Sequence, residues 1–324
     1  MHIYPFITEP VFKQYIWGGN ALKTKFGKNI PDNFASESWE VSCHADGPSK
    51  IKNGEYAGNF LWDVLKEDKK AFLGNSLSDT DDFPLLLKLL DANDNLSVQV
   101  HPDDKLALEL EGVPFGKTEM WYIIDARPDA KLVYGLKEGS TPDIIKSAIE
   151  NGTLEEHLNY VPVKKGDSFF IPAGTVHAVG KGLLIAEIQQ SSNTTYRMYD
   201  YNRRDKDGNL RELHIEKAIK ASDFNAPSKL NELKKDIIGD AVITTLSSCE
   251  FFTVKKYEIA TSVKIDFSKD RFEMLICTEG EFDIIYNNES IHIKAGDSVF
   301  IPAILGSYEM RGQGDILRSF TGGE

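Results

Sequence analysis

The sequence predicts a mainly β protein, built as two β-barrel or jelly-roll domains with a small helical insertion. Three observations carry that expectation. Short apolar runs recur along most of the chain, separated by turn residues at close spacing. Helical periodicity is confined to a few brief stretches. Finally, Gly166, Asp167, Ser168, Phe170, Ile171, Pro172 and Ala173 return, 130 residues later, as Gly296, Asp297, Ser298, Phe300, Ile301, Pro302 and Ala303. So contiguous a match points to two similar β-domains related by duplication.

Composition sets the outer bounds. The chain has 324 residues, a length that suits two domains or one large domain with an appendage. Hydrophobic residues make up 41% and charged residues 27%, ordinary values for a globular protein, and 18 Phe, 12 Tyr and 4 Trp supply ample surface to bury. The formal net charge of −13 disfavours a nucleic-acid partner, because such a surface repels a polyphosphate unless a local basic patch offsets it. An anionic small substrate would therefore need positive charge concentrated in a cleft. Cys43, Cys249 and Cys277 are widely spaced with no CxxC pair, which fits a reducing cytoplasm rather than a disulfide framework. The N-terminus lacks a basic and apolar leader pattern, and the run from Phe83 to Leu90 is too short to span a bilayer and contains Lys88. The expectation is a cytoplasmic protein with no membrane partner; a monomer is possible, and the sequence leaves the oligomeric state undecided.

Along the chain, Trp17-Gly-Gly-Asn20, Ile30-Pro-Asp-Asn33 and Asp46-Gly-Pro48 mark turns, with strand alternation in 37–42. Phe60, Leu61, Val64 and Leu65 fall on one face of an amphipathic helix expected over 59–73. Strands are then expected at 84–90, 96–101, 118–124 and 131–135. The 141–160 stretch interrupts them as a short helical pair opened by the cap Thr141 and by Pro142. Strands resume at 160–163, 168–171 and 183–189, followed by a turn over 205–209 and a short helix over 214–221. The stretch 222–236, with Asn-Ala-Pro-Ser in it, is the linker candidate. That divides the chain into a metal-binding domain over 1–235 and a C-terminal domain over 236–324. Further turns are expected at Glu279-Gly280 and Asn287-Asn288.

The two copies differ where chemistry would reside. His177 in the first falls opposite Ser307 in the second, and Gly174 opposite Ile304. We read the first copy as the chemical one and the second as structural, without metal ligands. In the first, the Pro172–Gly174 turn places one imidazole on a rigid element, as a metal site requires. Gln99 and His101, at i and i+2, share one face of a strand while Val98 and Val100 face the other way. Glu119 heads the next strand. Gln99, His101, Glu119 and His177 then form an O, N, O, N donor set that Zn²⁺ accepts with a position left open, and that Fe²⁺ or Mn²⁺ would also suit.

The string Gly166-x5-Pro172-x-Gly174-x2-His177 resembles the second signature of the cupin barrels, with Lys181 where that signature ends in Asn. LSVQVHPD at 96–103, GKTEMWYII at 116–124, GDSFFIPAGTVHA at 166–178 and AEIQQSSNTTYRMYDYNR at 186–203, in that order, resemble the type I mannose-6-phosphate isomerases in their compact bacterial form. That resemblance implies one Zn²⁺ per chain on Gln99, His101, Glu119 and His177. It implies interconversion of mannose 6-phosphate and fructose 6-phosphate through a cis-enediol. It also matches Arg197, ten residues after Glu187, to an essential arginine, and Ser97, Lys88 and Lys117 to positions near the substrate. Arg197 suits enediolate or phosphate oxygens. Glu187, a Lys117 of depressed pKa, or a metal-bound water stand open as the proton-transfer base.

Blander readings compete at each position. Lys88, Lys117 and Glu187 could be ion-pair partners, Arg197 could bridge to Asp200 or Glu187, and Gln99 could act behind the ligands. His2, His44, His157, His214 and His292 have no companions at metal spacing and read as structural or exposed. Trp121, Tyr199 and Tyr201 read as core, and Arg203 and Arg204 as a solvated basic turn. An iron or manganese oxygenase of cupin type and a non-catalytic sugar-binding protein are the rival functions.

Overall fold

A computed structural model describes residues 3–204, 207–225 and 233–323. It arranges the chain into antiparallel sheets of ten, six and five strands. The six-stranded sheet runs Ser168–Ile171, Glu119–Ala126, Leu183–Gln190, Leu85–Ala92, Glu37–Val41, Val11–Lys13. The five-stranded sheet runs Tyr196–Tyr199, Val98–Val100, His177–Val179, Lys131–Leu136, Leu158–Pro162.

Side-chain alternation explains how these sheets stack. Leu90, Trp121, Ile123 and Ile185 of the six-stranded sheet pack with Leu132, Tyr134 and Val179 of the five-stranded one, forming the interior of the first cupin-type barrel. The neighbouring residues Leu87, Leu89, Met120, Tyr122, Ala186 and Ile188 turn outward into a second core shared with Phe252, Phe272 and Phe300 of the C-terminal half. The strands Leu85–Ala92 and Leu183–Gln190 are therefore buried on both faces, which is why they read as unbroken apolar runs. On the far side of the five-stranded sheet, Val98, Val100, Ala178 and Met198 are covered by Ile145, Ile149 and Ala218. Those residues belong to helices Pro142–Glu150 and Ile215–Ala221.

The duplication is visible atom by atom. Gly166 and Gly296 adopt φ of 92° and 93°, a conformation that suits glycine. The Asp167 side chain accepts from the Lys164 N–H at 2.9 Å, and Asp297 from Lys294 at 3.0 Å. Strands Ser168–Ile171 and Ser298–Ile301 then leave the turn with equal length. The ten-stranded sheet holds the C-terminal strands together with Phe6–Glu9 and Lys50–Ile51 from the chain's beginning. The two halves thus share a sheet as well as a core.

Several local expectations are corrected. The helix expected over 59–73 is interrupted. Helix Leu61–Leu65 passes through a 3-10 turn to Lys69–Leu73, because Asp68 leaves helical geometry and its carboxylate caps the Ala71 N–H at 3.0 Å. Glu279-Gly280 is no turn: strand Glu273–Tyr286 runs through it on a bulge between Cys277 and Glu279. Asn287 and Asn288 do form a two-residue hairpin, both at positive φ. Helix Asp104–Glu111 is not among the expected elements, although Asp103 caps it and Gly112 closes it. Of the linker expected over 222–236, residues 226–232 lie outside the described residues, and strand Lys234–Ile238 already occupies its end. Residues 205 and 206 of the expected turn, and His2, also lie outside them. No helix of the described residues is long and apolar enough to cross a membrane, and all three cysteines are free.

Candidate active site and metal centre

Three loops bring the metal-ligating types together. Pro102 stops its strand, helix Asp104–Glu111 carries the chain away, and Gly116 brings it back so closely that a Cβ there would lie 2.5 Å from the Pro102 carbonyl oxygen. The return is pinned by the Lys117 N–H donating to Pro102 O at 2.9 Å and by Gly116 N–H donating to Asp104 at 2.7 Å. His101 and Glu119 thereby come to one place from opposite sheets. Gly174, at φ 88°, forms the turn whose Thr175 N–H donates to Pro172 O at 3.1 Å, and His177 follows it. His177 then pairs in register with Gln99 on the neighbouring strand.

One ring nitrogen of each histidine, together with a Glu119 oxygen, lies within 4.8 Å of the others, and all three residues are buried. Nδ1 of His101 donates to Thr194 O at 2.9 Å, and Nδ1 of His177 to Thr175 O at 2.8 Å. A carbonyl can only accept, so each neutral ring keeps its lone pair on Nε2. Burial holds both rings neutral, His101 well below the ordinary range and His177 down to about 4. Those Nε2 atoms stand 3.6 and 3.4 Å from the oxygens of Glu119. The carboxylate is buried and its oxygens accept no hydrogen bond of ordinary geometry, although Lys117 Nζ lies 2.9 Å from Oε2. Burial pushes this carboxyl up to about 8 against the pull of Lys117. Lys117 Nζ also lies 3.1 Å from His101 Nε2, so its ammonium stands where these two ring lone pairs and the carboxylate converge, a donor set that suits a divalent cation. Gln99 turns its amide nitrogen toward His177 Nε2 at 3.3 Å, and its oxygen lies 3.5 Å from Ser97 Oγ. Rotation about its last torsion would exchange the two ends and make its oxygen available as a ligand.

A cavity of about 270 Å³ lies beside this cluster and meets it through Gln99 and Lys117, while His101, Glu119 and His177 do not themselves line it. Gln99, Ser97, Lys88, Lys117, Glu187 and Arg197 all line it. Lys88 is buried between Glu37 and Glu187, 3.6 Å from each, with its ammonium over the Trp39 ring. Glu187 accepts from Trp121 Nε1 at 2.9 Å. Burial opposes its ionisation, but Lys117 and Lys88 outweigh that and hold it low, as a carboxylate. Lys117 does not show the depressed pKa considered from sequence. Burial lowers it, yet Glu119 and Glu187 together raise it above the usual lysine value. Arg197 reaches neither Asp200 nor Glu187. Its Nε donates to Ser97 Oγ at 3.3 Å and its Nη1 to Glu212 O at 2.9 Å. Asp200 is instead shared by Arg203 at 2.5 Å and Arg211 at 3.5 Å, so Arg203 is a half-buried structural partner rather than a solvated turn residue.

Sequence reasoning missed Tyr15, Glu37, Asn193 and Arg211, which also line the cavity. Trp17, expected in a turn, and Trp121, expected in the core, reach the cavity wall as well. Arg211 carried no signal, because it lies in a loop outside every motif. A wider depression of about 850 Å³ adjoins the cavity and shares Asn193 and Thr195 with it, but none of the ligating residues line it.

Relatives decide what kind of site this is. Residues 6–131 match the model of the phosphomannose isomerase type I catalytic domain, and 242–321 that of the mannose-6-phosphate isomerase cupin domain. Mannose-6-phosphate isomerase from Bacillus subtilis is 40% identical over 97% of this chain and 98% of its own length. That from Streptococcus mutans is 41% identical over 97% and 99%. The chain belongs to the type I phosphomannose isomerases. The crystal structure of the Bacillus subtilis mannose 6-phosphate isomerase superposes with a TM-score of 0.91 at 36% identity, over 97% of this chain and 99% of that one. Phosphomannose isomerase from Salmonella typhimurium shares the fold at 17% identity, with a TM-score of 0.79. In this phosphomannose isomerase family member the His–Glu–His cluster and the cation-lined cavity are built from residues between Tyr15 and Arg211.

Proposed function

We propose that this enzyme interconverts D-mannose 6-phosphate and D-fructose 6-phosphate through a cis-enediol, using one Zn²⁺ held by His101, Glu119, His177 and Gln99. What supports the reading most is one juxtaposition: Lys117 and Gln99, which line a cavity together with Lys88 and Arg197, also touch the buried His–Glu–His cluster, Lys117 Nζ 2.9 Å from Glu119 and the Gln99 amide 3.3 Å from His177 Nε2. An acidic protein that takes a phosphosugar needs such a local reversal of charge.

Zinc would supply Lewis acidity at the C1 and C2 oxygens. The remaining work falls to the chain's own groups. Glu187 is the proton acceptor we assign, as a carboxylate facing the cavity and oriented by Trp121 and Lys88. Lys117 donates toward the oxygen that gains charge as the proton leaves. Arg197, always cationic, binds an oxyanion of the substrate, and Ser97 fixes the guanidinium from behind. Trp17, Trp121 and Leu90 line the same wall and keep bulk water from the reacting carbons.

Turnover of mannose 6-phosphate in D₂O tests the proton-transfer step. Solvent deuterium in the fructose 6-phosphate formed, or in mannose 6-phosphate recovered, is the expected result. Product formed with complete retention of the original hydrogen would point to hydride transfer and overturn the enediol route.

A further inference from the structure

Strand Tyr196–Tyr199 is the outer edge of the five-stranded sheet and, among the described residues, pairs on one side only, with Val98–Val100. An edge strand leaves backbone N–H and C=O groups without a ladder partner. At Arg197 a single residue meets both. The Arg197 N–H donates to His214 Nδ1 at 3.1 Å, and the His214 N–H donates to Arg197 O at 2.8 Å. The same segment grips the far end of the side chain, where Arg197 Nη1 donates to Glu212 O at 2.9 Å. On the sheet side the register shifts between Arg197 and Tyr199, so the ladder alone holds this residue less firmly than a regular strand would.

His214 is itself anchored. It stands at the head of helix Ile215–Ala221, where its carbonyl accepts from the Ala218 N–H at 2.8 Å, and its ring meets the Tyr196 ring edge-on at 6.4 Å. Because Nδ1 accepts, the neutral ring carries its proton on Nε2, 4.0 Å from a Glu212 oxygen. A protonated ring has an N–H on both nitrogens and would turn a donor against the Arg197 N–H. The charged groups around the ring are Arg197 on the edge strand, Glu212 on the same loop, Lys217 on the following helix and Glu111 at the end of helix Asp104–Glu111. Burial first, and Arg197 next, hold the ring below the ordinary histidine range and outweigh the two carboxylates.

We propose that His214 is a positioning residue for Arg197: its unprotonated Nδ1 sets the backbone from which the guanidinium reaches the cavity, and protonation of the ring releases it. The inference rests on the isomerase reading for the reaction in which Arg197 acts. His214 does not itself line the cavity, so its effect on turnover passes through Arg197. A backbone ladder in its place would be indifferent to pH, whereas an imidazole makes the setting of Arg197 titratable.

Steady-state kinetics with mannose 6-phosphate on wild type, His214→Ala and His214→Asn tests this, with hydrogen exchange of the Arg197 amide as a readout independent of turnover. Asparagine brings an oxygen close to the position of Nδ1 and is not protonated there, so it keeps the acceptor and removes the titration. At about pH 8, kcat should fall about tenfold or more in His214→Ala at wild-type zinc content, and His214→Asn should recover most of that loss. Toward acid, kcat of the wild type should fall away at a higher pH than that of His214→Asn. Protonation of the metal ligands acts on both proteins alike, so the gap between them reports His214. The Arg197 amide should exchange about tenfold faster in His214→Ala than in wild type. Unchanged kcat in His214→Ala, a loss that His214→Asn does not recover, or acid limbs that coincide would overturn the proposal. If the Arg197 amide loses protection in His214→Ala while zinc-loaded wild type does not turn over mannose 6-phosphate, the clamp stands and the isomerase reading fails.

Discussion

Glu119 and Glu273 occupy the same place in the two repeats. Ile171 faces Glu119 across its strand pair, and Ile301, its counterpart, faces Glu273. Both carboxylates are fully buried, but their surroundings differ. Glu119 meets two imidazoles. Glu273 meets Arg318, whose Nε donates at 2.8 Å, and Tyr308, whose hydroxyl donates at 2.8 Å. Arg318 pairs with Leu275 as Glu187 pairs with Trp121, so it holds the position that Glu187 holds in the first repeat. A guanidinium neutralises in the second barrel the charge that a metal would neutralise in the first.

Arg318→Met should destabilise the protein by about 3–5 kcal/mol, because it leaves Glu273 buried and unpaired. The double variant Glu273→Gln/Arg318→Met should recover much of that loss. Denaturant unfolding measures both, and a double variant no better than the single one would contradict the pairing. Ser307→Ala, at the counterpart of His177, should leave activity and metal content unchanged.

His101→Ala and His177→Ala should each lose bound metal and turnover together, with activity down about a thousandfold or more. Metal analysis on the folded variants checks this. A variant without metal that retained substantial activity would refute the ligand assignment.

Arg197→Ala should retain metal and lower kcat about 10²- to 10³-fold, since it removes a preorganised cation from the cavity. Near-wild-type kcat would remove Arg197 from the mechanism.

Metal binding should release protons in a pH-dependent way. Without metal, burial lifts Glu119 to about 8, so at pH 7 it is largely protonated, and the proton must leave before the carboxylate can ligate. His177, at about 4, is already neutral and contributes none. Calorimetry in buffers of different ionisation enthalpy should find protons released on zinc binding at pH 7, and the release should fall away as the pH is raised to 9.5. Apparent affinity should rise with pH up to about 8 and then level off. Release that grows above pH 8 would contradict the assigned protonation state.

Much of the site was legible because ligand spacing follows strand geometry. Gln99 and His101 point inward and Val98 and Val100 outward because successive side chains alternate, and the Pro172–Gly174 turn announces His177 directly. The repeat foretold two barrels, down to paired glycines at positive φ. What was hidden is non-local. Arg211 enters through a loop whose following residues are tied to Arg197, which donates from its N–H to His214 Nδ1 at 3.1 Å and from Nη1 to Glu212 O at 2.9 Å, and no periodicity encodes those bonds. Glu37 reaches the cavity only because its strand pairs beside Leu85–Ala92, 48 residues or more ahead in the chain. Strand Phe6–Glu9 joins the C-terminal sheet by pairing with Ser298–Ile301, a contact that local sequence cannot announce. Asp68 broke the expected helix because a capping side chain competes with the helix it interrupts.

The most direct test is a coupled assay for fructose 6-phosphate formed from mannose 6-phosphate, run on the purified protein before chelation, after chelation, and with zinc restored. Turnover that the chelator abolishes and zinc recovers is the predicted result. Undiminished turnover in protein shown to be free of metal, or none in protein shown to hold zinc, would contradict it.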